Sequence, residues 1–189
     1  DRWTRRIVAE YTGRPDTANA FYEIAYRMSR FYNAKIMYEN NKKGLFAYFS
    51  NVRKALHMLA DSPEFLADKQ IIKATNLNNT TKGVNATQAV NVLGRRLQAD
   101  WMIADAFVEE EVEIKEGETA PKLMNLQKIR SIGYLQEAEM WTPDGNFDRI
   151  SAGNMVFIYD AELQKFETGA RKEKVKTLAD DPFFNKHYR

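Results

Sequence analysis

Cysteine is absent from this 189-residue chain, and histidine occurs only twice, as His57 and His187. The first absence excludes disulfide scaffolds, zinc ribbons and cysteine nucleophiles. The second leaves little for a histidine-based metal centre or a Ser-His-Asp triad. No apolar run approaches the ~20 residues of a membrane span. No glycine-rich loop of the G-x-x-x-x-G-K-[ST] type occurs, so a P-loop ATPase is excluded within these residues. Neither sign of charge dominates: 28 Lys and Arg face 26 Asp and Glu, a net charge of +2. That balance permits nucleic-acid binding but falls short of a strongly basic footprint. Carboxylates and oxygen-liganded metals are the chemistry this inventory leaves.

What is present suits one domain. Hydrophobic residues make up 44% of the chain and charged residues 29%, enough to bury a core and keep a solvated surface. The chain opens at Asp1 with no Met and no apolar leader segment. Residues 2–11 read as a half-exposed strand, so a fragment or processed product that starts in mid-strand is expected. Asp16 or Thr17 caps a following helix on which Phe21, Ile24, Ala25, Met28 and Phe31 share one face.

Residues 34–38 read as a short strand, and Leu45, Phe49, Val52, Leu56 and Leu59 as an amphipathic helix. Residues 60–85 are irregular, with Ile71-Ile72 in a short strand. Helices are expected over 86–110, 121–140 and 148–166, with a turn at 141–146. The acidic run 109–113 reads as a solvated helix end, and the basic residues 171–176 open a tail. The strand–helix alternation predicts an α/β fold with a partly parallel sheet.

Two constellations stand out. Glu39, followed by Asn40, Asn41, Lys42, Lys43 and Gly44, lies at the end of the predicted second strand, where open α/β sheets place ligand sites. The alternative is a solvated turn before a helix. Asp148 opens the last helix; it either caps that helix and favours its dipole or faces a cleft and binds a cation. Together two such carboxylates suit Mg²⁺ or Mn²⁺, and two such ions ~3.5–4 Å apart clamp an in-line phosphodiester displacement. The sequence does not show that Glu39 and Asp148 meet. Arg95-Arg96 and residues 171–176 bind phosphates or simply solvate helix faces.

At these motifs the chain resembles the C-terminal nuclease domain of the large terminase subunit of tailed bacteriophages. Four segments carry the likeness: residues 6–15 with Gly13-Arg14-Pro15; residues 32–44 with Glu39-Asn40 and Gly44; residues 82–87 with Lys82-Gly83; and residues 147–152, Phe-Asp-Arg-Ile-Ser-Ala. The resemblance implies an RNase H-like mixed sheet flanked by helices over residues 1–170, lacking its first strand, with a tail at 171–189. It implies a Mg²⁺- or Mn²⁺-dependent endonuclease that cuts concatemeric double-stranded viral DNA during packaging. Glu39 and Asp148 match the second and third of the family's three metal-binding acids, and Lys42, Lys43 and Arg149 are the DNA contacts to expect. The first acid, on the family's opening strand, has no counterpart here.

By the same resemblance the partners are DNA, the portal protein, the small terminase subunit and an amino-terminal packaging ATPase domain. The setting is the cytoplasm of the infected bacterium, with no membrane involved. A second reading is a DNA-docking or motor-assembly module that is inactive by itself. A third is another RNase H-like nuclease or recombinase.

Overall fold

The computed structural model describes residue 1 and residues 3–71, 82–107 and 123–173, with side chains as far as residue 166. It is helical. Helix α1 spans Ala18–Phe31 and α2 Gly44–Ala47; α3 spans Phe65–Asp68 and α4 Gln88–Ile103; α5 spans Ile132–Met140 and α6 Asp148–Glu173. Short 3-10 turns lie at Leu56–Met58 and Asn125–Lys128. Among the described residues no helix is long and apolar enough to cross a membrane.

The expected α/β, RNase H-like mixed sheet is corrected by this architecture: the described residues contain no β-strand or sheet. Extended backbone meets only through isolated bridges, Ile36 with Leu59 and Glu39 with Val84 in parallel, and Asp105 with Met124 antiparallel. A strand needs a continuous ladder on a neighbour, and each of these segments finds a single rung.

The opening segment fails as a strand for the same reason. Its groups are spent on helices instead: the Trp101 indole donates to the Arg5 carbonyl at 2.9 Å, the Arg6 guanidinium donates to the Phe107 carbonyl at 3.1 Å, and Arg5 pairs with Asp160 at 2.5 Å. Residue 2, Ile72, the acidic run 109–113, Pro121 and residues 174–189 lie outside the described residues.

Helix α1 begins where expected, with the Thr17 hydroxyl accepting from the Ala20 N–H at 3.1 Å. Its packed face differs from the expected one. Tyr22 and Tyr26 pack with Tyr48, Phe49 and Leu59, and Ser29 is buried, whereas Phe21 and Phe31 are exposed. The helix expected over 45–59 breaks. α2 widens into a π-helical turn at Tyr48–Val52 and stops where Lys54 takes a φ of 52°, so the Ala55 N–H returns to the Phe49 carbonyl at 2.8 Å.

Helices α4 and α6 form the centre. Val90 with Met155 and Ile158, and Trp101 with Ile150 and Phe157, fill two apolar clusters between and around them. Their close approach depends on Gly94: a Cβ there would lie 2.5 Å from the Asn154 Cβ. Beside it Gln98, fully buried, donates to the Ile150 carbonyl at 2.9 Å and to Asn154, and accepts from the Tyr134 hydroxyl. Buried polar groups cost free energy unless paired, so this network also fixes the register of α5 against the α4–α6 pair. Glu162 of α6 accepts from the N–H groups of Glu64 and Phe65 at 3.2 and 2.7 Å, which docks α3. α6 runs unbroken to Glu173, past residue 170 where a tail was expected to begin.

Candidate carboxylate site

The loop that carries Glu39 is built by its own asparagines. Asn40 receives backbone support from the Val84 carbonyl at 2.7 Å and donates its side-chain amide to the Lys82 carbonyl at 2.7 Å. Asn41 accepts from the Ala86 N–H at 2.8 Å and donates to the Ala86 carbonyl at 3.1 Å. Two amide side chains therefore clamp residues 40–41 onto residues 82–86. Gly83 makes the approach possible. It sits at φ +73°, a conformation glycine adopts without strain, and a Cβ there would lie 2.8 Å from the Tyr38 carbonyl oxygen.

Tyr38 is buried beneath the loop. Desolvation pushes its phenol up to about 12.

Asp148 stands on the first turn of α6 and is exposed. The sequence left it a choice between capping the helix and facing a ligand. The capping is done by another residue. Glu137, from α5, accepts from the N–H groups of Arg149 and Ile150 at 2.8 and 3.3 Å. Its carboxylate also pairs with the Arg149 guanidinium at 2.6 Å, and Arg149 reaches Glu10 at 2.9 Å. This ion pairing raises the Arg149 pKa, through the hydrogen bonds that it donates to Glu137 and then to Glu10.

Asp148 lies near enough to Glu39 for its charge to act on it. Glu39 is open to solvent, but protein atoms crowd its carboxylate. That partial desolvation and then the negative charge of Asp148 hold its pKa above the ordinary value. The four segments that carried the family resemblance also connect: 39–41 with 82–86, Glu39 with Asp148, and Glu10 with Arg149.

The basic residues differ in their availability. Lys42 and Lys43 sit on the loop next to Glu39 and are exposed, and Lys43 donates to the Asn40 side-chain oxygen at 3.2 Å. Arg149, expected as a DNA contact, is held between Glu10 and Glu137. The sequence reading missed Glu137, which falls in no motif, and gave no role to Glu10, which lies in the first of the four segments. Among the described residues no group of three or more His, Asp or Glu side chains is arranged to hold a metal.

No protein-family model, curated protein or solved structure matches this chain.

A divalent cation fits the pair in part. Crowded like charges cost free energy that a hard cation bound to both would offset, and carboxylate oxygens are its preferred ligands. A two-metal arrangement asks for more carboxylate oxygens than Glu39 and Asp148 supply.

Proposed function

We propose that Glu39 and Asp148 are the metal-binding acids of a DNA-cleaving phosphodiesterase of the terminase-nuclease kind. What supports this reading is that the negative charge of Asp148 acts on Glu39, the two carboxylates the motifs singled out. It does not draw on a shared fold.

Bound Mg²⁺ or Mn²⁺ supplies Lewis-acid chemistry, polarising a phosphoryl oxygen and lowering the pKa of bound water. The chain's own residues do the rest. Glu39 and Asp148 hold the cation. Lys42 and Lys43, beside Glu39, neutralise phosphate charge without reading sequence. Arg149 is a positioning residue: clamped by Glu10 and Glu137, it fixes the helix turn that presents Asp148. In this reading the substrate is concatemeric double-stranded viral DNA in the infected host's cytoplasm. The portal protein, the small terminase subunit and a packaging ATPase domain are the partners.

A second reading, a DNA-docking module without hydrolysis, draws on the shortage of carboxylate oxygens noted above. Relaxation of supercoiled plasmid by this protein in Mn²⁺ separates the two. Nicking lost in both Glu39→Ala and Asp148→Ala supports the nuclease. Nicking untouched by either substitution contradicts it.

A further inference from the structure

A second surface, on α1, is built for a different ligand. Arg27, Arg30 and Phe31 occupy positions i, i+3 and i+4, which share one helix face. Arg53, just past the π-helical turn, joins them. Two open depressions of about 450 and 520 Å³ adjoin each other here, and Arg27 and Phe31 line both.

Guanidiniums outnumber carboxylates on this patch. Arg27, Arg30 and Arg53 stand with two carboxylates: Glu23 pairs with Arg27 at 2.8 Å and with Arg53, and Glu10, on the second depression, is taken by Arg149. Arg30 is exposed, and its guanidinium lies 5.8 Å from the Tyr26 ring centre. Arg53 stacks over the same ring at 5.0 Å. Phe31 is 81% exposed and Tyr32 44%, their rings edge to face at 4.9 Å.

A large aromatic residue this open on a helix, among arginines, suits a partner that offers both flat apolar faces and negative charge. Unpaired nucleotides offer both, because every base has a π-face and every linkage a phosphate. A duplex hides its base faces in the stack and presents only phosphates and groove edges to such a surface.

We infer that the Arg27–Arg30–Phe31 face of α1, with Arg53 and Tyr32, binds single-stranded nucleic acid. Guanidiniums hold the backbone, and Phe31 and Tyr32 stack on bases. Neither Glu39 nor Asp148 takes part, so this inference stands apart from the proposed nuclease site.

Fluorescence anisotropy with a labelled oligothymidylate of about 12 nucleotides, and with a duplex of equal length, tests it in EDTA on the 189-residue chain. The single strand should bind at least about fivefold tighter than the duplex. Phe31→Ala and Arg30→Ala should each weaken single-strand binding about fivefold or more. Both side chains are exposed, so folding is preserved, and circular dichroism checks it. Phe31→Trp should restore binding. Three neutralised phosphates give a salt slope of about 2 on a log–log plot. Tighter binding to duplex, or wild-type affinity in both alanine variants, overturns the inference.

Discussion

Glu137 closes the first turn of the helix that carries Asp148: its carboxylate accepts from the Arg149 N–H at 2.8 Å and meets the Arg149 guanidinium at 2.6 Å. Glu137 therefore satisfies two of the four N–H groups that a helix start leaves open. Glu137→Ala should cost about 2 kcal/mol in urea unfolding, the sum expected from a lost cap and a lost charge-assisted bond. A loss below about 0.5 kcal/mol would place the pair among inert surface bridges. The same variant should weaken any divalent-cation binding, because the turn bearing Asp148 loosens.

Gly94→Ala decides between two opposed effects. Alanine in a helix interior is favoured over glycine by about 0.8–1 kcal/mol. Here the new Cβ meets the Cβ of Asn154 at 2.5 Å and its Cα at 3.0 Å, neither of which can swing aside. Overpacking costs about 1–3 kcal/mol, so the net change should be destabilising. A higher melting temperature in Gly94→Ala would show that α4 and α6 pack less closely than described.

Much of the helical skeleton was legible in the sequence, and among the described residues there was no sheet to find. Thr17 caps α1 by accepting from the N–H three residues on, a signal local enough to read directly; Thr87 caps α4 in the same way, though the sequence reading did not single it out. Residues 2–11 and 34–38 look like strands because β-branched and aromatic residues favour extended backbone, but a strand is decided by its neighbours. The face of α1 was misjudged because Tyr22 and Tyr26 bury apolar rings while phenylalanines stay outside. At the site, Glu39 and Asp148 were visible as motifs, but that the charge of Asp148 acts on Glu39 depends on the tertiary fold. Glu137, which frees Asp148 from capping, lay in no motif.

Glu23 should shape the acid limb of stability. Arg27 first, then Arg53 and the Tyr48 hydroxyl, bond its carboxylate and hold it down to about 2, against an ordinary 4.5. A depressed folded-state pKa contributes stability that is full above 4.5 and is lost as pH falls toward 2. Glu23→Gln should therefore flatten the stability profile between those limits and leave the neutral side less stable. An unchanged acid limb in Glu23→Gln would mean that these bonds add nothing in solution.

Glu39 should act in the opposite sense. Its raised pKa means that the protonated form suits the fold, so its contribution is full below the unfolded value and declines as pH rises through the folded one. In EDTA at neutral pH, Glu39→Gln should be more stable than the wild type. Equal or lower stability would indicate that Glu39 and Asp148 do not crowd one another.

Titration of Mn²⁺ into the 189-residue chain, followed by calorimetry or water-proton relaxation, tests the carboxylate pair most directly. The wild type should bind Mn²⁺, and Glu39→Gln and Asp148→Asn should each weaken binding about tenfold or more, a loss within the 10–100-fold range seen when metal sites lose a supporting group. Binding of equal strength in all three proteins, or none in the wild type, would contradict the account.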